Sequence, residues 1–373
     1  MSIHYTLPTP ADFEVLAKPQ DIAVTVYVET APNVADADRA KVAFKSAFDD
    51  ALNQLEDAGI SHPVRTEIAQ SREEILDSDI WHKLSRSLAV FVAPGFSEVF
   101  VLPNRIEDHF DAGTTFSLGL LWRSVTQIQE AFALTLSANE WKLWHATPTA
   151  RATELAISGD YPDSASDATN RGSAGRGDDR LSGDPYDLYA KRVADAAQTE
   201  LAAINPAGNI PLFVFAEEQL LGRFDVRKEG RHLELVRGAA DRLTAAEIDE
   251  EIRGRLAEVN TTITAAELAN LGEIDQSRVE HDLAAIAHLA AQGSVEAMWF
   301  DMTQDVWGTL NPETGEISYA PDDSGAFTPG VGELFGQIAT LVVAKGGRAV
   351  AVRGSDQPDW NGPVVAHLRF ALT

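Results

Sequence analysis

Short β-patterned runs alternate with longer stretches of helical period along the whole of this 373-residue chain. That alternation confines the chain to a mixed α/β (α+β) fold, because interleaved strands and helices bury their apolar faces against one another. Residues 22–29 alternate around Val24, Val26 and Val28, the period of a strand with one buried face. After a break at Ala31-Pro32-Asn33, the residues Val42, Phe44, Phe48, Ala51, Leu52 and Leu55 mark the stripe of a long helix that Gly59 ends. Residues 88–93 and 96–102, separated by Pro94-Gly95, read as a β-hairpin. Together these predict an N-terminal α/β domain over residues 1–126.

A second β pattern begins at residue 131. Strands over 131–136, 141–145 and 150–157 predict an antiparallel meander. Periodicity then fails over residues 158–184, which carry Gly, Ser, Asp and Arg and few large apolar groups. Such a stretch buries too little to offset its ordering entropy and is expected to be a mobile loop. Asp184 then offers an N-cap and Pro185 a first helical position, with Leu188, Val193, Ala196, Ala197 and Leu201 as the buried stripe. A buried strand over 210–215 follows, and the middle domain is placed at 127–257.

In the last region, 258–373, Ile274, Val279, Leu283, Ile286 and Ala290 fall on one helical face closed by Gly293. A strand over 295–300, a turn-rich stretch over 311–329, a helix over 331–344, a strand over 348–352 and a final strand over 364–370 complete an α/β/α sandwich. A chain of this length is expected to form more than one domain, and three tandem domains result.

Composition removes several function classes. No cysteine is present, so disulfides, thiolate metal sites and cysteine nucleophiles are excluded. No apolar run approaches the ~18 residues of a membrane span, and the N-terminus shows no secretory pattern, which predicts a cytoplasmic protein. The net charge of −27 is spread as −9, −7 and −11 over the three regions, so none of them is a basic module. Long-range steering toward DNA or an anionic membrane is therefore unfavourable, and only a local basic patch could meet phosphate at short range.

Catalytic signatures are sparse. No Gly-Lys-Ser/Thr is present for a phosphate-binding loop, and Gly172-Ser-Ala-Gly175-Arg-Gly177 shares only its glycine content with a dinucleotide fingerprint. His281 and His288 are seven apart, ~10 Å along a helix at 1.5 Å per residue, too far to share a metal. The acid pairs Asp49-Asp50, Asp178-Asp179 and Asp322-Asp323 read as solvated turns and faces. No cofactor and no enzyme class are implied. A hydrolase built on middle-domain carboxylates is the third-ranked reading, to be recognised by a buried cleft where two acids converge.

Two basic features stand out against the acidic background. Arg171, Arg176 and Arg180 lie among the loop glycines Gly172, Gly175 and Gly177. Arg223, Arg227, Lys228, Arg231, Arg237 and Arg242 make residues 222–242 locally basic. Arginine's planar fork suits phosphate, so both are RNA-contact candidates; the plain alternative is solvated surface.

The order of these segments resembles the bacterial homologues of the archaeo-eukaryotic class-one release factors, a family related to Pelota and to the hibernation factor Balon. Val24-Thr-Val-Tyr-Val-Glu-Thr30 and the helix after it are similar to the family's opening. Leu88 to Gly95 with Phe96 to Pro103 resembles the hairpin that closes its first domain, and Phe132 to Trp144 resembles the start of its middle domain. Ala290-Ala-Gln-Gly-Ser-Val-Glu-Ala297, Val306-Trp-Gly308, Ala344-Lys-Gly-Gly-Arg-Ala-Val350 and Val364 to Phe370 resemble its C-terminal domain, which implies the fold of a kink-turn-binding ribosomal protein.

The family's hydrolytic members carry a Gly-Gly-Gln tip in the middle domain. No Gly-Gly-Gln occurs in these 373 residues, and Arg171 to Gly177 stands where the tip belongs. The resemblance thus implies a non-hydrolytic, ribosome-associated factor of the rescue or hibernation kind, with ribosomal RNA as partner and a translational GTPase as candidate delivery partner. The alternative on the same scaffold is an acidic protein-interaction adaptor that does not bind RNA.

Overall fold

The strand at Ala23–Glu29 forms where its valines place it, yet both of its faces are buried. In the computed structural model, all residues are described except 33–35, 160, 171–183, 225–231, 240–241, 322–326, 358–359 and 372–373. The strand sits inside a five-stranded sheet ordered Ser2–His4, Phe96–Leu102, Ser87–Ala93, Ala23–Glu29, His109–Gly113, antiparallel except at the Ser2–His4 edge. Val24, Val26 and Val28 face Phe44, Phe48, Ala51 and Leu55 of the helix Ala37–Asp57 and Ile68 and Ile75 of His62–Leu76. Ala23 and Tyr27 face the opposite way into a second core. The alternation around the valines predicts one buried face, which leaves the side with Thr25 and Tyr27 to solvent. Their hydroxyls are satisfied locally: the Tyr27 hydroxyl donates to the Ser117 carbonyl at 2.7 Å, and Ser117 N–H donates to Thr25 Oγ1 at 3.0 Å. A polar atom with a partner can be buried at little net cost. Val42, expected on the buried stripe, is 69% exposed, since the stripe turns through Phe44, Ala47 and Phe48 instead.

Contacts divide the described chain into two compact units, residues 1–127 with 259–373, and residues 128–258. The first and last regions each line a core on one sheet face, and their other faces merge in a common core containing Phe91, Phe100, Trp122, Phe300, Phe335 and Ile338. Each fully buried side chain of this size contributes ~1.5–3 kcal/mol, which accounts for the two apolar faces pairing.

The last region's sheet runs Val279–Glu280, Val364–Leu368, Val295–Asp301, Arg348–Val352. Met298 and Phe300 pack with the helices Leu283–Ala291 and Leu334–Ala344 on one face, while Ala297 and Trp299 meet Leu268 and Leu271 of the helix Ala245–Leu271 on the other. Helices therefore cover both faces. The long apolar stripe from Ile274 to Ala290 is not one helix. Asp275 caps a turn through Ser277 N–H, Val279 pairs with His367 in the sheet, and the helix begins only at Leu283 behind the Asp282 cap. Sheet pairing has overridden a helical period. Trp307–Leu310, Ile317–Tyr319 and Gly332–Glu333 form a further small sheet, of which Ile317–Tyr319 lies within the stretch expected to be turns and Gly332–Glu333 takes the first residues of the expected helix over 331–344.

The middle unit holds a mixed sheet ordered Leu233–Arg237, Leu212–Ala216, Ala131–Leu136, Trp141–Ala146, Thr153–Glu154. The expected third strand over 150–157 is reduced to Thr153–Glu154. Tyr189, Val193, Ala197 and Leu201 of the helix Pro185–Ile204 cover Phe132, Leu134 and Val214. Part of the expected loop is ordered: Ala165–Asn170 is a short helix whose Ala165 and Ala168 enter this core.

Candidate functional site

The RNA-contact candidates distribute unevenly. Arg171, Arg176, Arg180, Gly172, Gly175, Gly177, Arg227, Lys228 and Arg231 lie outside the described residues. Arg223 is described, and its surroundings belong to the base formed by the described residues that flank 171–183.

On one side of that base, the Trp141 indole N–H donates to the Pro162 carbonyl at 2.9 Å, Ala165 N–H donates to the Ala138 carbonyl at 2.9 Å, and Arg192 donates to the Ala168 carbonyl at 3.2 Å. On the other side, Asp184 Oδ1 caps the helix Pro185–Ile204 by accepting from Tyr186 N–H at 3.0 Å. Arg223 follows the short helix Glu218–Leu221 and reaches back to this cap. Its Nη2 donates to Asp184 Oδ2 at 2.5 Å, its Nε to Asp187 Oδ1 at 2.6 Å and its Nη1 to the Gln219 carbonyl at 2.7 Å, while the guanidinium lies 5.8 Å from the Tyr186 ring centroid. A guanidinium so committed holds two carboxylates at a helix N-terminus, where the dipole also favours them. Arg223 is therefore placed as a clamp on the helix start, and contact with phosphate requires exchange of these partners. Arg237 pairs with Glu218 at 3.0 Å on open surface, an exchangeable arrangement.

A second constellation escaped sequence reasoning. In the unit formed by residues 1–127 and 259–373, a cavity of about 180 Å³ is lined by His109, Ser117, Arg123, Asp305, Glu333 and Arg353 among others. Glu333 is the N-cap of Leu334–Ala344: its Oε1 accepts from Phe335 N–H at 2.6 Å and its Oε2 from Gly336 N–H at 2.7 Å. It is only 3% exposed, and burial, opposed by those two bonds and joined by the charge of Asp305, pushes its carboxyl up to about 8. Asp111, on the edge strand of the first sheet, is pushed up to about 7 by burial and then by Asp305. Burial lowers His109. Arg123, whose Nη1 donates to the Arg105 carbonyl at 3.2 Å, is lowered by burial and by nearby Arg353, which pairs with Glu107 at 3.2 Å. Among the described residues the carboxyls raised toward neutrality thus lie in this unit, whereas the hydrolase reading puts its carboxylates in the middle region. Both Glu333 oxygens are occupied by a helix start, which ties the group to the fold. The one available signal was Glu333 itself, an acid directly before the apolar run Leu334-Phe335, and an N-cap reading would have shortened the expected helix.

Among the described residues, no group of three His, Asp or Glu side chains gathers to hold a metal. His288 is engaged by the Thr314 carbonyl and Gln292, each at 2.8 Å. No described helix is long and apolar enough to cross a membrane.

No family model matches the chain, and no curated protein matches it. Among solved structures, translation termination-like factors are similar. Archaeoglobus fulgidus Pelota shares 14% identity over 76% of this chain and 79% of its own, with a TM-score of 0.36. Saccharomyces cerevisiae Dom34, described as interacting with Hbs1, shares 9% over 77% and 74%, with a TM-score of 0.34. Ribosome-bound archaeal Pelota shares 10% over 98% and 95%, with a TM-score of 0.38. Overlap this loose leaves the functional reading to the chain's own residues.

Proposed function

We propose that the protein is a non-hydrolytic translation factor that acts on the ribosome in rescue or hibernation, with its middle unit presenting an arginine- and glycine-rich segment to ribosomal RNA. The observation that carries this reading is the anchored base of residues 171–183. Both flanks are tied to one unit, through Trp141 and Ala138 on one side and through the Arg223–Asp184–Asp187 clamp on the other. Arg171, Arg176 and Arg180 lie between these flanks, in a chain without Gly-Gly-Gln. Arg227, Lys228 and Arg231 supply a second basic contact, and a translational GTPase delivers the protein. The three regions of the chain then serve as three functional domains, and the site of action is cytoplasmic.

Cosedimentation tests the proposal. At low salt the protein travels with ribosomes, and joint replacement of Arg171, Arg176 and Arg180 by alanine weakens binding and flattens its logarithmic salt slope by about 2–3, at ~0.7–0.9 for each phosphate no longer neutralised. A protein that stays at the top of the gradient with ribosomes from both growing and stressed cells overturns it. The net charge of −27 and the capture of Arg223 by two acids favour a second reading, an acidic adaptor for an electropositive protein partner. That reading gains if binding to ribosomes is absent and a basic partner is retained at low salt.

A further inference from the structure

The cavity of about 180 Å³ has a wall of mixed charge that RNA contact does not use. Two strands of the last region aim at it. Val295–Asp301 and Arg348–Val352 run parallel, and the residues that leave their carboxyl ends, 302–305 and Arg353, line the space. Parallel strands present ligand-binding groups in such a crevice, because the loops that follow them emerge side by side. The first region supplies the rest of the wall through residues 106–109 and through Ser117, Leu120 and Arg123 around the start of the helix Gly119–Thr126. Ile106, Leu120, Phe300, Met302 and Phe335 make part of the lining apolar. Ser117 is only 4% exposed, and its hydroxyl has no hydrogen-bond partner among the described residues, although its N–H and carbonyl are both engaged. A hydroxyl in that position is a donor and an acceptor held ready for a bound polar group.

The two signs of charge stand apart on this wall. Arg353 lies close enough to oppose the charge of Arg123, whereas Asp305 acts on His109 and Glu333. Arg123 spends Nη1 on the Arg105 carbonyl and Nε on Gln127, which leaves Nη2 open among the described residues. Arg353 spends only Nη2, on the exposed Glu107, an arrangement that exchanges easily. Of the acids in the lining, Glu333 holds the N–H groups of Phe335 and Gly336, Asp108 accepts from Glu29 N–H, and Glu107 holds Arg353. Asp305 is the carboxylate left open among the described residues, and it is exposed.

We propose that this cavity binds a small apolar α-amino acid, its carboxylate held by Arg123 and Arg353, its ammonium by Asp305 and its side chain against Ile106, Leu120 and Phe300. Charge-assisted hydrogen bonds at both ends of one molecule satisfy both signs of the wall. Size agrees. A cavity of about 150 Å³ holds a benzene ring, so 180 Å³ takes a molecule the size of valine and excludes a nucleotide. Net charge agrees as well. A simple carboxylate or phosphate meets the long-range repulsion of a chain carrying −27 and then the charge of Asp305, whereas a zwitterion is neutral overall. A simple amine leaves the two guanidinium groups uncompensated.

Titration calorimetry on the full-length chain tests the site without ribosomes, so its outcome is independent of the proposed function. The probes are L-valine, isobutylamine (valine without its carboxylate), 3-methylbutanoate (valine without its amine) and L-tryptophan, which exceeds the cavity. Valine should bind with a Kd below about 1 mM, and each of the other three at least about tenfold more weakly, the effect of one lost charged hydrogen bond or of a side chain too large to enter. Asp305→Asn should weaken valine by about tenfold and leave 3-methylbutanoate no weaker than in the parent, a split that a general loss of structure does not produce. Arg353→Gln should weaken both. The comparison of probes on the parent chain stands by itself should either variant fail to fold. Absence of saturable binding by valine, binding of the amine or the acid as tight as that of valine, or full affinity for valine in both folded variants overturns the assignment.

Discussion

Replacement of Arg253 by methionine should destabilise the middle unit by ~3–5 kcal/mol, as removal of one partner from a buried ion pair does. The magnitude follows from what the guanidinium holds. Its Nη1 donates to the Gln129 carbonyl at 2.6 Å, and its Nη2 donates to the carbonyls of Thr147 at 2.7 Å and Ala150 at 3.1 Å. Its Nε lies 3.6 Å from Asp249 Oδ1, and the two side chains are only 11% and 4% exposed. Gln129 is buried, so its carbonyl finds no replacement water, whereas Ala150 is exposed and does. A buried acceptor without a donor costs ~1–3 kcal/mol, and the buried Asp249 charge, deprived of the guanidinium, supplies the remainder. Asp249 also accepts from Ala152 N–H at 2.8 Å, and an asparagine there keeps that acceptor without the charge. Asp249→Asn in the Arg253→Met background should therefore recover ~1–2 kcal/mol, although the same change alone destabilises. Amide exchange over residues 131–146 and 212–216 reads the opening free energy of this unit separately from the other. A loss below ~1 kcal/mol for Arg253→Met, or no recovery in the double variant, refutes the assignment of a buried charge clamp.

Other consequences are as specific. Asp184→Ala removes the cap and one arm of the Arg223 clamp, and should cost ~1 kcal/mol, seen as faster exchange in the first turn of Pro185–Ile204. Gly315 has φ +72° and its Cβ position is filled by the backbone of Ala287 and His288; Gly315→Ala should lower the melting temperature through a loss of at least ~2 kcal/mol, whereas Gly95→Ala, at φ +72° in open space, should cost only ~1 kcal/mol. Stability of the unit containing Asp111 and Glu333 should fall between pH 5 and pH 8.5. Both folded-state values are raised, to about 7 and about 8, so the native state binds more protons than the unfolded chain in that window and unfolding becomes easier as pH rises. Melting curves should flatten in Glu333→Gln; a parent melting temperature that is constant or rises over that window contradicts the assignment.

Local signals carried much of the architecture. The valine alternation at 24–28, the Pro94-Gly95 turn with Gly95 at φ +72°, and the Asp184-Pro185 helix start each act through neighbours within a few residues, and each forms where those signals place it. Misreadings arose where a distant partner decided. Val279 fits a helical stripe, but its pairing with His367 makes it a strand. Thr25 and Tyr27 read as a polar face until Ser117 satisfies their hydroxyls. Arg223 reads as a free cation until the chain returns it to Asp184 and Asp187.

Composition, the absence of Gly-Gly-Gln and the order of strands and helices were legible in the amino-acid sequence by itself, because period, turn chemistry and capping are encoded in adjacent residues. Tertiary structure alone decided which second faces meet, that the first and last regions share a core, and that Asp111 and Glu333 lie buried within reach of one another's charge. Burial and ionisation depend on what surrounds a group in space, and for these two acids the surroundings come from the opposite end of the chain.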